Sequence, residues 1–384
     1  MSEIFYAMDA PFVFGKIASG IEFTDRSAET KNLISNFNSG SNNILISPRR
    51  WGKSSLVAKA ADLAHKKNKK LVFCFIDLYN VRTEEQFYQT LVQQILKATS
   101  GKLDEMLATA RKYIGQFMPK FTINPGDSGS MSLSLDWKEI ERQPDEILNL
   151  AEKIAISKKI RIIICIDEFQ NISEFLYPIA FQKKLRANWQ RHQNTSYCLY
   201  GSKRHMLLNV FSSPSAPFYK FGNLILLEKI SASDLASFII KRFLDTGKKI
   251  EPEEALLLAE KVECHTYYVQ QLAQQAWLRT NKSCNASIVE DSFESLLNQL
   301  SLLFQIQTDS LPATQINFMK AVIENVIKLS STEVIRKYHL GTSANVIRIR
   351  KALIDKEIID IQSDKIMFLD PMYKQWLKGY FYRN

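Results

Sequence analysis

The chain has 384 residues, which suggests two or three domains at roughly 150 residues each. At 46% hydrophobic and 23% charged it is neither a disordered tail, a collagen nor a small disulfide-stapled scaffold, and its 13 Gly and 11 Pro argue against long flexible linkers. Lys and Arg outnumber Asp and Glu by 50 to 40, a formal charge of +10 that favours anionic partners without singling one out.

In chain order, five short runs are nearly continuous in hydrophobicity: NNILIS (42–47), KLVFCFIDL (70–78), RIIICIDEF (161–169), SYCLYGS (196–202) and NLILLEKI (223–230). Such runs read as strands buried on both faces of a parallel sheet. Helical patterns at Ser54–Lys67, Glu84–Ser100, Asp145–Ser157 and Phe181–Gln193 fall between them, the alternation of an α/β sheet with crossovers. FTINPGDSGSMSLSLDW (121–137) alternates about a turn and predicts a hairpin inserted on the rim. From Ser231 to about Phe304 the pattern is almost wholly helical. From about Gln305, helical stretches at 312–325, 331–339 and 343–356 precede two alternating runs, 358–362 and 365–369, joined by Ser363-Asp364. Three helices and a two-stranded ribbon make a winged-helix pattern. The expected division is therefore an α/β domain over 1–230 with its hairpin at about 119–137, a helical lid over 231–304 and a winged helix over 305–384.

No pair among the five cysteines, at 74, 165, 198, 264 and 284, has zinc-ligand spacing. Three of them lie in apolar runs and read as buried small hydrophobes, and the odd number with no signal peptide points to a reducing cytoplasm. MSEIFYAMDAPF has no basic segment followed by a long apolar one, so export is not expected, and no run is long enough to suggest a membrane span.

ILISPRRWGKSSL (44–56) falls where the first strand turns into the first helix. Gly52, Lys53 and Ser54 complete the end of a phosphate-loop pattern whose first Gly is replaced by Ser47. Backbone N–H groups over Ser47, Pro48, Arg49, Arg50, Trp51, Gly52, Lys53, Ser54 and Ser55 would cradle phosphates, proline contributing none. Lys53 would reach the β- and γ-phosphates and the Ser54 hydroxyl would bind Mg²⁺. RIIICIDEF ends in the second element: Asp167 for Mg²⁺ or its water, and Glu168 as the base that activates the attacking water. ATP and Mg²⁺ are the expected ligands. NKSC (281–284) nearly matches a guanine-reading element, but Cys284 replaces its Asp.

These residues resemble the archaeal-type ATPases, a branch near the STAND and AAA+ P-loop ATPases, over nearly the whole chain. FTDRSAE (23–29) looks like that group's Phe-x-Gly-Arg-x-x-Glu box, with Asp25 in the Gly position; in relatives the box borders the adenine pocket. SPRRWGKSSL, CIDEFQNI and CLYGSKRHM look like Walker A, Walker B and sensor-1 segments. The resemblance makes Ser202 a polar sensor, set against a plain strand-end hydroxyl. Two departures stand out. Lys220 lies in APFYKFGN where relatives carry Tyr-Gly-Arg, and His265-Thr266 replaces part of a Gly-x-Pro lid motif. Arg49, Arg50, Lys203 and Arg204 are further cations near the site, and Arg186 is a candidate finger toward a neighbouring subunit.

In the winged-helix reading SANVIRIRKALIDK (343–356) is the recognition helix. Val346, Ile349, Leu353 and Ile354 form its buried face, and Arg348, Arg350 and Lys351 face phosphates. Two functions remain open. One is an ATPase whose Mg²⁺-dependent hydrolysis drives a conformational switch. The other is a DNA-binding regulator that uses ATP mainly as a structural or switch ligand. A protein partner or a homo-oligomer fits either; a membrane fits neither.

Overall fold

The apolar runs assemble as one five-stranded sheet, because their uninterrupted β-branched and aromatic side chains can be buried only between two layers of helices. The strands are β1 Asn43–Ile46, β2 Leu71–Asp77, β3 Arg161–Asp167, β4 Thr195–Gly201 and β5 Asn223–Leu226. In this computed structural model their order is β2-β3-β4-β1-β5, and every pairing is parallel. The structure describes residues 10–18, 20–24, 26–117, 120–123, 131–362 and 365–382.

Two-sided burial, expected of all five strands, holds for the centre and fails at the edges. The inner residues of β3 and all of β4 are buried. The edge strand β5 leaves Leu224 and Leu226 each 47% exposed, and β2 leaves Phe75 43% exposed. An edge strand lacks a neighbour on one side, so its cover is incomplete.

Helix α1, Ser27–Ser39, precedes β1. Helix α2, Lys53–Lys67, and helix α3, Glu84–Thr99, follow β1 and β2. The α3 N-terminus is capped by Thr83, whose side chain accepts from the Gln86 N–H. The single helix expected over 145–157 is two, Pro144–Leu148 and Leu150–Lys158. Asn149 breaks it: its Nδ2 donates to Asn188 Oδ1 at 2.9 Å and its Oδ1 lies 2.8 Å from His192 Nε2. Tertiary hydrogen bonds override local helical pattern here. The rim hairpin pairs Lys120–Ile123 with Met131–Ser134; its expected Pro-Gly-Asp-Ser-Gly turn lies outside the described residues.

The chain forms two compact units, Arg26–Glu228 and the N-terminal segment together with Lys229–Asn384. In the second unit helices Ala232–Leu244, Pro252–Lys261, Thr266–Arg279 and Ala286–Asp309 match the helical pattern, but the boundary expected at 304 falls inside the last helix, which runs unbroken to Asp309, and there is one addition. Lys249–Ile250 and Ser283–Cys284 pair as short parallel strands. Phe12, assigned from the sequence to the α/β part, packs here: its ring lies 6.1 Å from Phe238 and 5.8 Å from Phe243. Arg242 Nε donates to the Pro11 carbonyl at 2.9 Å.

Helices Ala313–Ile323, Thr332–Lys337 and Ser343–Asp355 precede an antiparallel ribbon, β6 Ile359–Gln362 and β7 Lys365–Phe368. The Ser363-Asp364 turn lies outside the described residues. A further helix, Pro371–Trp376, was not anticipated. Asp370 caps it by accepting from Met372 and Tyr373 N–H groups, and its Tyr373 ring lies 5.3 Å from Phe304. Among the described residues no helix is long and apolar enough to cross a membrane.

Gly222 marks a tight passage in the sheet. A Cβ there would meet the Asn42 carbonyl oxygen at 2.5 Å, and the same oxygen accepts from Asn223 N–H at 2.9 Å as β5 joins β1. The obstacle is backbone, which cannot swing aside. Gly222→Ala should therefore cost about 1–3 kcal/mol and lower the melting temperature of the α/β unit in calorimetry; an unchanged melting temperature would contradict this close approach.

Candidate functional site

The site is built at the carboxyl ends of the parallel strands, where ligands of open α/β sheets bind. β1 ends at Ile46. Ser47, fully buried, donates its Oγ to the Pro48 carbonyl at 3.0 Å. Arg49 and Arg50 are exposed, Trp51 is buried, and Arg50 adopts φ 64°. Gly52 then enters the left-handed region at φ 85°, ψ 19°, as the N-cap of α2. No atom would meet a Cβ at Gly52, so the requirement is one of backbone conformation. Lys53, Ser54 and Ser55 form the first turn of α2, the end at which helix N–H groups point outward.

Two of these residues meet the end of β3. Lys53 Nζ donates to Glu168 Oε1 at 3.1 Å and lies 3.8 Å from Asp167 Oδ1. Ser54 Oγ donates to Asp167 Oδ2 at 2.6 Å. Glu168 is itself left-handed, φ 51°, as the strand turns into the 3-10 segment Phe169–Glu174. Its N–H donates to Asp167 Oδ1 at 2.8 Å. Because β4 lies between β1 and β3, its end brings in Ser202, whose Oγ and N–H donate to Glu168 Oε2 at 3.0 and 3.3 Å. Lys53, Ser54, Asp167 and Glu168 thus converge as their order along the chain implied, and Ser202, singled out by the resemblance, joins them.

The two carboxylates differ electrostatically. Burial is the largest influence on each and favours the protonated form. For Asp167 it prevails over the Lys53 charge and the Ser54 hydrogen bond, and the pKa is raised. For Glu168, with Lys53 closer, the ammonium and the donors Gln170, Lys53 and Ser202 outweigh burial, and the pKa is lowered. Glu168 is held as a carboxylate.

Two further side chains reach the site: one belongs to the box expected to border the adenine pocket, and the other was not anticipated. Arg26, buried and left-handed at φ 68°, sits in the FTDRSAE box. Its Nη1 donates to Glu29 Oε1 at 3.0 Å and to the Glu228 carbonyl at 2.8 Å, and its Nη2 to the Trp51 carbonyl at 3.3 Å. It braces the loop from behind. Asp25, beside it, lies outside the described residues. Gln170 donates its Nε2 to Glu168 Oε2. Its place two residues beyond Glu168 was the available signal.

The other candidates have contacts of their own. The Arg186 guanidinium lies 4.8 Å from the centre of the Phe221 ring of its own chain, and burial lowers its pKa. Lys203 pairs with Glu174 at 3.5 Å, and Lys220 lies over Tyr219. His265 and Thr266 belong to the second unit, where His265 is buried with its ring 5.1 Å from Tyr268. Cys284 is buried in the short strand pair there.

The donor set fits Mg²⁺. Ser54 Oγ and Asp167 Oδ2 are adjacent hard oxygens, and Mg²⁺ in phosphate sites takes one or two protein oxygens beside phosphates and waters. Among the described residues no three His, Cys, Asp or Glu side chains form a protein-only metal cage.

In the second unit, Val346, Ile349 and Leu353 of helix Ser343–Asp355 are buried and Ile354 partly so, with Arg348, Arg350 and Lys351 exposed. Residues 302–379 match the family described as "Probable winged helix domain". The whole chain is similar in structure to the Walker-type ATPase of Pyrococcus abyssi, with a TM-score of 0.65 at 15% identity over 96% of this chain and 99% of that one. The fold is that of a P-loop ATPase with a C-terminal winged helix. The ORC2 protein of Aeropyrum pernix, solved as ADPNP–ADP complexes, is similar with a TM-score of 0.59 at 12% identity, over 95% of this chain and 94% of that one. No curated protein sequence matches the chain. The resemblance to archaeal-type ATPases is thus met at the level of fold.

Replacing Lys53 tests the electrostatics directly. Lys53→Met leaves Asp167 and Glu168 buried beside each other without a counter-charge, and should cost the α/β unit about 3–5 kcal/mol at pH 8. Both folded-state pKa values would then lie above the unfolded ones. The folded protein binds more protons, so its stability falls as pH rises and recovers as pH falls. The deficit in melting temperature should be larger at pH 8 than at pH 5.5; a deficit independent of pH would exclude carboxylate repulsion as its cause.

Proposed function

We propose that the chain binds ATP with Mg²⁺ and hydrolyses it, and that the nucleotide state acts as a conformational switch. The observation that carries this is the convergence of Lys53 on Glu168 and Asp167 at 3.1 and 3.8 Å, at the mouth of a loop ending in a left-handed Gly52. The loop N–H groups and Lys53 hold the phosphates. Ser54 and Asp167 hold Mg²⁺, which supplies charge neutralisation at the phosphate oxygens. Glu168, kept ionised, accepts the proton of the attacking water, and Ser202 orients Glu168 or the water. The helical segment 231–304 serves as the lid and 305–384 as the effector domain. The fold shared with the Walker-type ATPase of P. abyssi and with ORC2 in its ADPNP–ADP complexes supports the nucleotide; five free cysteines fit a reducing cytoplasm.

Two variants separate binding from chemistry. Lys53→Ala should lose ATP binding in calorimetry and with it turnover. Glu168→Gln should bind ATP within a few-fold of the parent yet lose about 100-fold or more in phosphate release. Turnover by Glu168→Gln at the parental rate would remove Glu168 as the base.

A second reading, DNA binding through the winged helix with ATP mainly structural, is favoured by the outward-facing Arg348, Arg350 and Lys351. If these contact phosphates, affinity for duplex DNA should fall steeply with salt. Arg348→Ala/Lys351→Ala should flatten the log–log salt slope by about 2. A mobility assay showing no DNA retention at low salt would remove this reading.

A further inference from the structure

We infer that Gln170 is a positioning residue for Glu168: it selects which carboxylate oxygen faces the attacking water. This rests on the ATPase reading above. The carboxylate of Glu168 is divided between two sets of partners. Lys53 takes Oε1 at 3.1 Å. Gln170 Nε2 and the Ser202 Oγ and N–H all take Oε2. Lys53 is the partner that phosphates claim when nucleotide binds. Its departure frees Oε1, while Oε2 stays tied to protein donors. Oε1 is then the oxygen able to accept a proton from water, and the ties on Oε2 fix its direction.

Gln170 is shaped for this task and for little else. It is 1% exposed, so its amide cannot serve solvent. Its Nε2 is spent on Glu168, while its Oε1 is buried with no hydrogen-bond partner among the described residues. An orphaned buried carbonyl is costly, and an apolar side chain of the same length would avoid that cost. A structural role does not account for an amide here; donation to Glu168 does. The seat for this side chain is Gly201, the last residue of β4. A Cβ on Gly201 would fall 1.9 Å from Gln170 Oε1 and 3.0 Å from its Cδ. Gly201 has ordinary backbone angles and is absent from the positive-φ glycines, so the space it leaves, rather than its conformation, is what Gln170 uses. The strand that supplies Ser202 therefore also makes room for the second donor on the same oxygen.

The test compares Gln170→Met, which keeps length and removes both polar atoms, with Gln170→Ala, Gly201→Ala and Glu168→Gln, each in the full-length protein. Steady-state Mg-ATP turnover and melting temperature are measured for all of them. Gln170→Met should lower kcat about 10- to 100-fold, the scale of a misdirected catalytic group, with KM within about threefold and a melting temperature equal to or above the parent's. Gly201→Ala should lower kcat in the same way by displacing the amide. In a Glu168→Gln background, adding Gln170→Met should change kcat less than twofold, because the residue acts only through Glu168. Retention of parental kcat in Gln170→Met, or an undiminished further loss in the Glu168→Gln background, overturns the positioning role while leaving the ATPase reading intact. Absence of turnover in the parental protein, with Mg-ATP binding also absent, overturns both. If Gln170→Met does not fold, Gln170→Ala with Gly201→Ala carries the same comparison.

Discussion

One buried positive charge organises the α/β unit. Lys53 is almost out of contact with water, and a buried ammonium without a counter-charge is untenable. The end of β3 supplies two carboxylates, so the helix opened by Gly52 and the strand ending in Asp-Glu are bound to one another. That bond requires β1 and β3 to sit close with their carboxyl ends level, and it leaves a single slot between them. β4 fills the slot in register, Cys198 beside Cys165 on one side and beside Asn43 on the other. The sheet order is therefore tied to the charge pairing at its mouth.

The same pairing offsets part of the negative charge of the two carboxylates. Lys53 divides itself unequally, nearer to Glu168 than to Asp167, and the aspartate compensates through the Ser54 hydroxyl. Behind the turn, aromatic packing gives the carboxylates a rigid base. Phe169 lies against Phe211 and Phe218, and Trp189 stacks on Tyr197 at 4.1 Å. A left-handed Glu168 is strained for a non-glycine residue; this packing and its hydrogen bonds hold it there.

Much of this was legible in the sequence. Apolar runs of strand length interrupted by amphipathic stretches announce a parallel sheet, and Gly52-Lys53-Ser54 with Asp167-Glu168 announces what lies at its mouth. The illegible parts share a cause, namely dependence on partners distant in the chain. Asn149 breaks a helix because of Asn188 and His192. Gly222 is needed because of Asn42, and Gly201 because of Gln170. Arg26 reads as a family box residue, but its brace on Trp51 becomes visible only once β5 has ended at the right height. Exposure of Leu224 and Leu226 could not be foreseen either, since a run's composition does not say whether it will lie at an edge.

Arg26 joins two places that the covalent chain keeps far apart. One of its nitrogens grips the carbonyl of Glu228, the last residue before the chain leaves the α/β unit, and the other grips the carbonyl of Trp51, next to Gly52. Beside the hydrogen bond from Leu227 N–H to the Ile46 carbonyl at 2.9 Å, this side chain gives the outgoing segment a second tie to the loop. A guanidinium is planar and stiff, so the two carbonyls behave as the ends of a short strut.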